Sequence, residues 1–351
     1  MNKKTALFGA VVVALVAGAS ALLWLRPQRG ASAGARPTLH LYAMSNYFPA
    51  DLLKEFENRH GCEVRYDNFA SNEELLAKLQ AGATGYDVIV PSDYMVTALI
   101  DSKLIRELDK SKLPNAANLA PTFATAPFDP GNKYAMPYTW GTSGLAYDST
   151  KVAGPIDSWS VLFDKKYAGK ISLLDDGREA LGAMLKLQGY SVNTLDRAEL
   201  RKAQAKLMEL KPSVRLFSSD AKQSLESGDI WIAHIYSGDA QQLVRDKPNF
   251  RYVVPKEGAV TWIDTLAIPK TAPNPDLAHA FIDFILEPDT AVALTDALRY
   301  GSPNAKAESR IPDPSLRAGR LAQAGGKLEF LKDLGDQSAV WDQLWAQVKS
   351  K

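Results

Sequence analysis

Trp262-Ile-Asp264 sets an indole and a carboxylate two residues apart, which puts both on one face of a β-strand and turns Ile263 to the other. A carboxylate inside so apolar a run needs a partner. A ligand cation lying against the Trp262 face fits, through a charge-assisted hydrogen bond and a cation–π contact. An internal arginine or a backbone donor fits as well, and the spacing leaves both open. Three acidic turns raise the same question. Asp176-Gly-Arg-Glu179 has the spacing of a capping box, Pro91-Ser-Asp-Tyr94 offers Ser92 or Asp93 as a helix cap, and Tyr236-Ser-Gly-Asp239 joins a strand to a helix. Each is explained by capping alone, yet Glu179 can also project into a cleft from the first turn of its helix. Together the four segments surround one possible cleft with five carboxylates.

Other chemistries lack their residues. The chain has no Gly-x-Ser-x-Gly elbow, no phosphate-binding glycine loop and no His-Glu-x-x-His helix, and Gly141-Thr-Ser-Gly144 has the wrong spacing for a nucleophile elbow. His40, His60, His234 and His279 are scattered without metal-ligand spacing, so neither a metal nor a cofactor is expected. Cys62 is the single cysteine, cannot form an intramolecular disulfide, and reads as a small packed residue. Formal net charge is +1. Four cations, Lys3, Lys4, Arg26 and Arg29, precede the body, which leaves about 37 basic residues against 40 acidic ones there. A nearly neutral body without a basic cluster argues against nucleic-acid binding.

The elements that must position these residues alternate. Leu39 to Met44, Glu63 to Phe69 and Tyr86 to Val90 read as strands. Helices are expected at Pro49 to Arg59, with Gly61 beyond the end, and after the Ser71-Asn-Glu-Glu74 capping box over Leu75 to Leu79. This βαβαβ pattern favours a parallel sheet covered by helices. After a loop-rich stretch from Asp109 to Asn132 comes Tyr134 to Trp140, then a separate strand from Gly144 to Tyr147, and a second alternation. It holds a helix near Trp159, strands at Lys170 to Leu174, Ile230 to Tyr236 and Tyr252 to Pro255, and helices at Glu179 to Gln188 and Asp196 to Leu210. Val260 to Pro269 and two helices, Asp276 to Leu286 and Asp289 to Leu298, follow. Two α/β units without a flexible linker imply an α/β fold of two hinged lobes joined by more than one crossing, with a ligand cleft between them.

The first 35 residues read as an export leader. Lys3 and Lys4 precede an uncharged run from Ala6 to Leu25, and Ala31-Ser-Ala33 and Ala33-Gly-Ala35 are cleavage candidates. The run is also just long enough to remain as a membrane anchor.

A series of short motifs then carries a family resemblance. Leu41-Tyr-Ala-Met-Ser-Asn-Tyr47, Ser71-Asn-Glu73, Tyr86-Asp-Val-Ile-Val-Pro-Ser92, Asp109-Lys-Ser-Lys-Leu113 and Met136-Pro-Tyr-Thr-Trp-Gly141 come first. Asp175-Asp-Gly-Arg-Glu179, Pro255-Lys-Glu-Gly258, Trp262-Ile-Asp264 and Ala267-Ile-Pro269 complete it. In that order they resemble the periplasmic spermidine/putrescine-binding proteins of ABC transporters, from about Leu39 to the C-terminus. The resemblance implies a two-lobed periplasmic-binding-protein fold with lobe 1 from 36–142 and 264–305, and lobe 2 from 143–263 and 306–351. It implies that Ser45, Tyr47, Ser92 and Tyr94 line the first-lobe wall and that Asp176, Glu179, Asp239 and Asp264 accept ammonium groups. Tyr236 and Trp262 would flank the methylene chain, with Tyr300 nearby. Met44 and Tyr236 stand where that family has tryptophan, Leu331 stands near a polar position, and Asp93 adds a charge beside Ser92. The implied protein is a periplasmic monomer and not an enzyme, handing its amine to an inner-membrane permease or reporting it to a membrane-bound signalling partner.

Overall fold

The computed structural model describes residues 36–125, 128–317 and 328–350. The leader and its cleavage candidates lie outside these residues. The chain opens with β1 (Thr38–Ala43), α1 (Ala50–His60), β2 (Glu63–Asn68), α2 (Asn72–Gln80), β3 (Val88–Ile89) and α3 (Asp93–Asp101). Pro49 precedes α1, and Gly61, with φ +62°, closes it in a left-handed turn that residues with a Cβ rarely adopt. Ser71 Oγ accepts from Glu74 N at 3.2 Å, while Glu74 reaches back to Ala70 N at 2.8 Å, one residue before the position a capping box predicts. β1 pairs in parallel with both β2 and β3, so the chain leaves β1 and β3 toward opposite sides of the sheet. A crevice opens beyond the C-terminal ends of such strands.

After α4 (Pro121–Ala124), the sequence reading separates two segments that are one strand, β4 (Ala135–Asp148), buried throughout. Gly141 and Gly144 sit within it: the Trp262 ring lies where a Cβ of Gly141 would be, and the Val253 carbonyl and Tyr252 ring lie where one of Gly144 would be. There follow β5 (Ile171–Leu173), α5 (Gly177–Leu187), α6 (Arg197–Leu210), β6 (Val214–Phe217), α7 (Lys222–Ser227), β7 (Ile232–Tyr236), α8 (Ser237–Asp246), β8 (Phe250–Val253) and β9 (Ala259–Ala267). The described chain ends with α9 (Pro275–Ile285), α10 (Pro288–Leu298), β10 (Leu328–Phe330) and α11 (Ser338–Ser350). The segment near Trp159 is a 3-10 turn, Trp159–Phe163.

The strands run in the order β2-β1-β3-β9-β4-β7-β5-β6, with β10 on β9 and β8 on β4. Two antiparallel strands carry the crossing. β4 pairs with β9 from Ala135 to Thr142 and with β7 from Ser143 to Tyr147. Each half of the sheet has its own core. Leu39, Leu41, Phe56, Met136, Phe281 and Phe284 fill the first, and Leu145, Trp159, Leu173, Leu181, Leu207 and Trp341 the second. Ala307, Ile311 and Leu316 pack on Ala291 of α10, a helix whose Leu294 and Leu298 belong to the first core. α11 was not anticipated, although Trp341, Leu344, Trp345 and Val348 have helical spacing and pack into the second core. Among the described residues no helix is long and apolar enough to cross a membrane.

Candidate ligand cleft

Asp264 occupies β9 at the crossing and is 3% exposed. Ser92 Oγ donates to its Oδ1 at 2.6 Å and the Tyr47 hydroxyl donates to its Oδ2. Ser92 is fixed in turn by Asn72, whose amide donates to Ser92 Oγ at 3.0 Å and accepts from Ser92 N at 3.0 Å. Tyr47 is held by the Tyr138 hydroxyl, which donates to its backbone carbonyl. Every donor to the carboxylate is therefore neutral. Burial pushes the Asp264 carboxyl up to about 6, against the opposing pull of the Ser92 and Tyr47 hydrogen bonds. Among the described residues no lysine or arginine contributes to that balance.

Aromatic rings continue the wall. Trp262 meets Tyr300 edge-on at 5.2 Å between centroids and Tyr236 at 6.0 Å, and Tyr47 lies 6.0 Å from Tyr300. Two glycines admit these rings. A Cβ at Gly141 would fall 2.5 Å from the Trp262 ring, and one at Gly238 would fall 2.3 Å from the Tyr300 ring.

The opposite wall is acidic. Asp176 caps α5, its Oδ1 accepting from Arg178 N at 2.8 Å and Glu179 N at 3.1 Å, so its capping role is real even though the side chain also lines the cleft. Burial, then the neighbouring Glu179 and Glu73, push its carboxyl up to about 7. Glu179 is 3% exposed; its Oε1 accepts from Ser143 Oγ at 2.8 Å and its Oε2 has no hydrogen-bond partner. Burial and Asp220 push Asp239, in the first turn of α8, up to about 6 against Lys222 and the Tyr300 hydroxyl. Tyr94 donates to Glu73 Oε1 at 3.0 Å, with the Arg178 guanidinium 5.7 Å from its ring centroid.

These side chains enclose a cleft of ≈ 1040 Å³. Met44, Ser45, Tyr47, Ser92, Tyr94, Asp176, Glu179, Tyr236, Asp239, Trp262, Asp264 and Tyr300 all line it, as does Leu331. Asp93 does not. Its Oδ1 accepts from Tyr94 N at 2.8 Å and its Oδ2 from Ile263 N at 3.2 Å, so it pins α3 to β9 behind the wall, and burial holds its carboxyl well above the usual range. The expectation that Asp93 faces the ligand is corrected accordingly: a residue whose neighbours are both cleft-lining turns its own side chain into the protein. Sequence reading missed Asn72, Asp220, Lys222 and Gln242, which also line the cleft. Asn72 stood inside the recognised capping box, but its pairing with Ser92 is visible only in three dimensions. Among the described residues no cluster of His, Cys, Asp and Glu is arranged to hold a metal ion.

The model of the bacterial extracellular solute-binding proteins matches residues 51–317. The chain belongs to this family. It is 38% identical to the putrescine/cadaverine-binding protein of Pseudomonas aeruginosa, over 91% of this chain and 95% of that one. It is 36% identical to spermidine/putrescine-binding periplasmic protein 1 of Haemophilus influenzae, over 91% of each. Among solved structures, the TpPotD lipoprotein of Treponema pallidum superposes with a TM-score of 0.82 at 32% identity, over 90% of this chain and 100% of that one. The architecture of this solute-binding protein is thus the two-lobed periplasmic-binding-protein fold. Its family binds solutes and is not a family of enzymes.

Proposed function

We propose that the protein is the periplasmic receptor of an ABC-type uptake system for a putrescine- or spermidine-like amine, which it captures by closing its lobes and passes unchanged to an inner-membrane permease. Asp264 carries this reading. A desolvated carboxylate braced by two hydroxyls, beside an indole face and without a cationic side chain to balance it, lacks a counter-charge that an ammonium group supplies. Asp176, Glu179 and Asp239 stand ready for further ammonium groups, and the Trp262, Tyr236 and Tyr300 rings suit the methylenes between them. The names of the Pseudomonas and Haemophilus relatives, a putrescine/cadaverine-binding and a spermidine/putrescine-binding protein, support the same ligand class. In this proposal 36–142 and 264–305 close against 143–263 and the C-terminal helix, with the bend in β4 and β9.

Titration calorimetry of the chain from about Arg36 onward, against putrescine, cadaverine, agmatine, spermidine, amino acids and sugars, tests it. Amines are expected to bind, and each should be recovered unchanged. Binding confined to amino acids or sugars, or turnover of a bound amine, would overturn the assignment.

A further inference from the structure

Behind the cleft wall, His234 of β7 is fully buried, and neither ring nitrogen has a hydrogen-bond partner. Its Nε2 lies 3.7 Å from Glu179 Oε2, the buried oxygen that also lacks a partner. Native proteins rarely bury two such groups side by side unsatisfied, so the arrangement calls for a role. The Trp159 ring packs edge-on against the imidazole at 4.9 Å and offers no acceptor to it. A proton on His234 answers the deficit at Glu179 Oε2 as a charge contact at 3.7 Å, just beyond hydrogen-bond reach. It balances the carboxylate while the cleft is empty and leaves the pair neutral.

We propose that His234 is the proton partner of Glu179, so that seating a ligand ammonium against Glu179 expels one proton from the pair to solvent. The proposal rests on the amine-binding reading above. In the empty protein the imidazolium lies behind the carboxylate. An ammonium arriving from the cleft brings a second positive charge to the same oxygen, the imidazolium then faces a cation at close range, and it releases its Nε2 proton. The ionisable groups around the pair come from each packed element. They are Asp176, which caps α5, Arg178 and Lys186 on α5, Glu73 on α2 beside Asp176 and Arg178, Tyr236 on β7 and Tyr252 on β8, while β5 and the Trp159–Phe163 turn contribute none. Lys186 is already engaged with Glu329 at 2.5 Å, and Arg178 donates to Lys332 O and Asn193 Oδ1. His234 is therefore a positioning residue that acts on the ligand through Glu179.

The experiment counts protons. Putrescine binding to the purified exported protein is measured by calorimetry at pH 7 in phosphate and in Tris, whose ionisation enthalpies differ, for wild type and for His234→Gln. Wild type is expected to release up to one more proton than the variant, whose affinity should rise less steeply with pH. Asp176, Asp239 and Asp264 release protons in both forms, so the difference isolates the pair. Should His234→Gln fail to fold, the imidazole NMR signals of the wild type give the answer: one of the four histidines should pass from protonated to neutral as putrescine is added. Equal proton counts in the two forms, or four unmoved histidine signals with amine bound, overturn the coupling alone. An absence of binding to any amine overturns the ligand assignment and the coupling with it.

Discussion

Replacing Asp264 by asparagine separates a ligand-binding carboxylate from a structural one, because the two roles predict opposite signs for stability. The amide keeps the shape of the side chain and removes the charge. Holding the carboxyl at about 6, where the unperturbed value is 3.8, costs the empty fold on the order of 3 kcal/mol when the group ionises at pH 7. The neutral amide escapes that cost. It must still place an N–H where a hydroxyl donated before; the Tyr47 hydroxyl can turn to accept it, for a loss of about 1 kcal/mol. The empty variant should therefore melt at or above the wild-type temperature. Binding moves the other way, since removing one member of a desolvated charge pair costs about 2–5 kcal/mol, or roughly 30-fold to several thousand-fold in Kd. Scanning calorimetry with and without putrescine, together with titration calorimetry, reads both quantities. A variant that melts several degrees lower yet binds putrescine as tightly as wild type would show that Asp264 holds the fold and that the ligand lies elsewhere.

Acidification should act in the same two directions on the wild type. Asp176, Asp239 and Asp264 have folded-state values raised to about 7, 6 and 6, so the folded protein takes up protons more readily than the unfolded chain between about pH 4 and 7. Melting temperature of the empty protein, measured relative to the Asp264→Asn variant to isolate Asp264, should rise as pH falls from about 6 to 4, while amine affinity falls from pH 8 to pH 5. Met44→Trp adds an indole face to the cleft wall and should tighten putrescine binding by about 0.5–2 kcal/mol, a few-fold to about thirtyfold, as read by titration calorimetry. Weaker binding in that variant would mean that Met44 shapes the cleft for a bulkier amine. Asp93→Ala leaves Tyr94 N and Ile263 N without their acceptor and should lower stability by about 1–3 kcal/mol in denaturant titration; an equally large loss of amine affinity in the folded variant would return Asp93 to the ligand wall.

The alternation of strands and helices was legible because it rests on local rules. Periodicity, caps and glycine stops locate β1 through β3 to within a few residues. The crossing was less legible. Tyr134 to Trp140 and Gly144 to Tyr147 read as separate segments, and only the Trp262 ring packed against Gly141 and the Val253 carbonyl and Tyr252 ring packed against Gly144 show why glycines stand between them in one strand. Trp262 and Asp264 stood out because a carboxylate inside an apolar strand needs a partner, and both prove to line the cleft. Asp93 misled for the opposite reason. Its position beside Ser92 is right, but one step along an α-helix start rotates a side chain from the cleft to the protein interior. His234 was passed over because its carboxylate partner is not a neighbour in sequence. Glu179, the group that gives it meaning, is 55 positions away on another element.

How the cleft holds its carboxylates bears on what it can bind. Asp264 is braced by a serine and a tyrosine, Glu179 by Ser143, Asp176 by two backbone N–H groups at the start of α5, and Asp239 by Tyr300. Each donor orients an oxygen, and the starts of α5 and α8 add a partial positive charge of roughly half a unit, without, among the described residues, a lysine or arginine hydrogen-bonded to any of the four. A lysine or arginine hydrogen-bonded at the same places would satisfy the carboxylates better and leave nothing for a ligand to complete. Neutral donors make the empty cleft less stable than it could be, as the raised Asp264, Asp239 and Asp176 values record, and an arriving cation recovers that deficit as binding energy. The same logic explains why the nearest imidazole stands behind Glu179 rather than in front of it. From there a proton can balance the carboxylate while the cleft is empty and still leave the cleft-facing side open to an ammonium group.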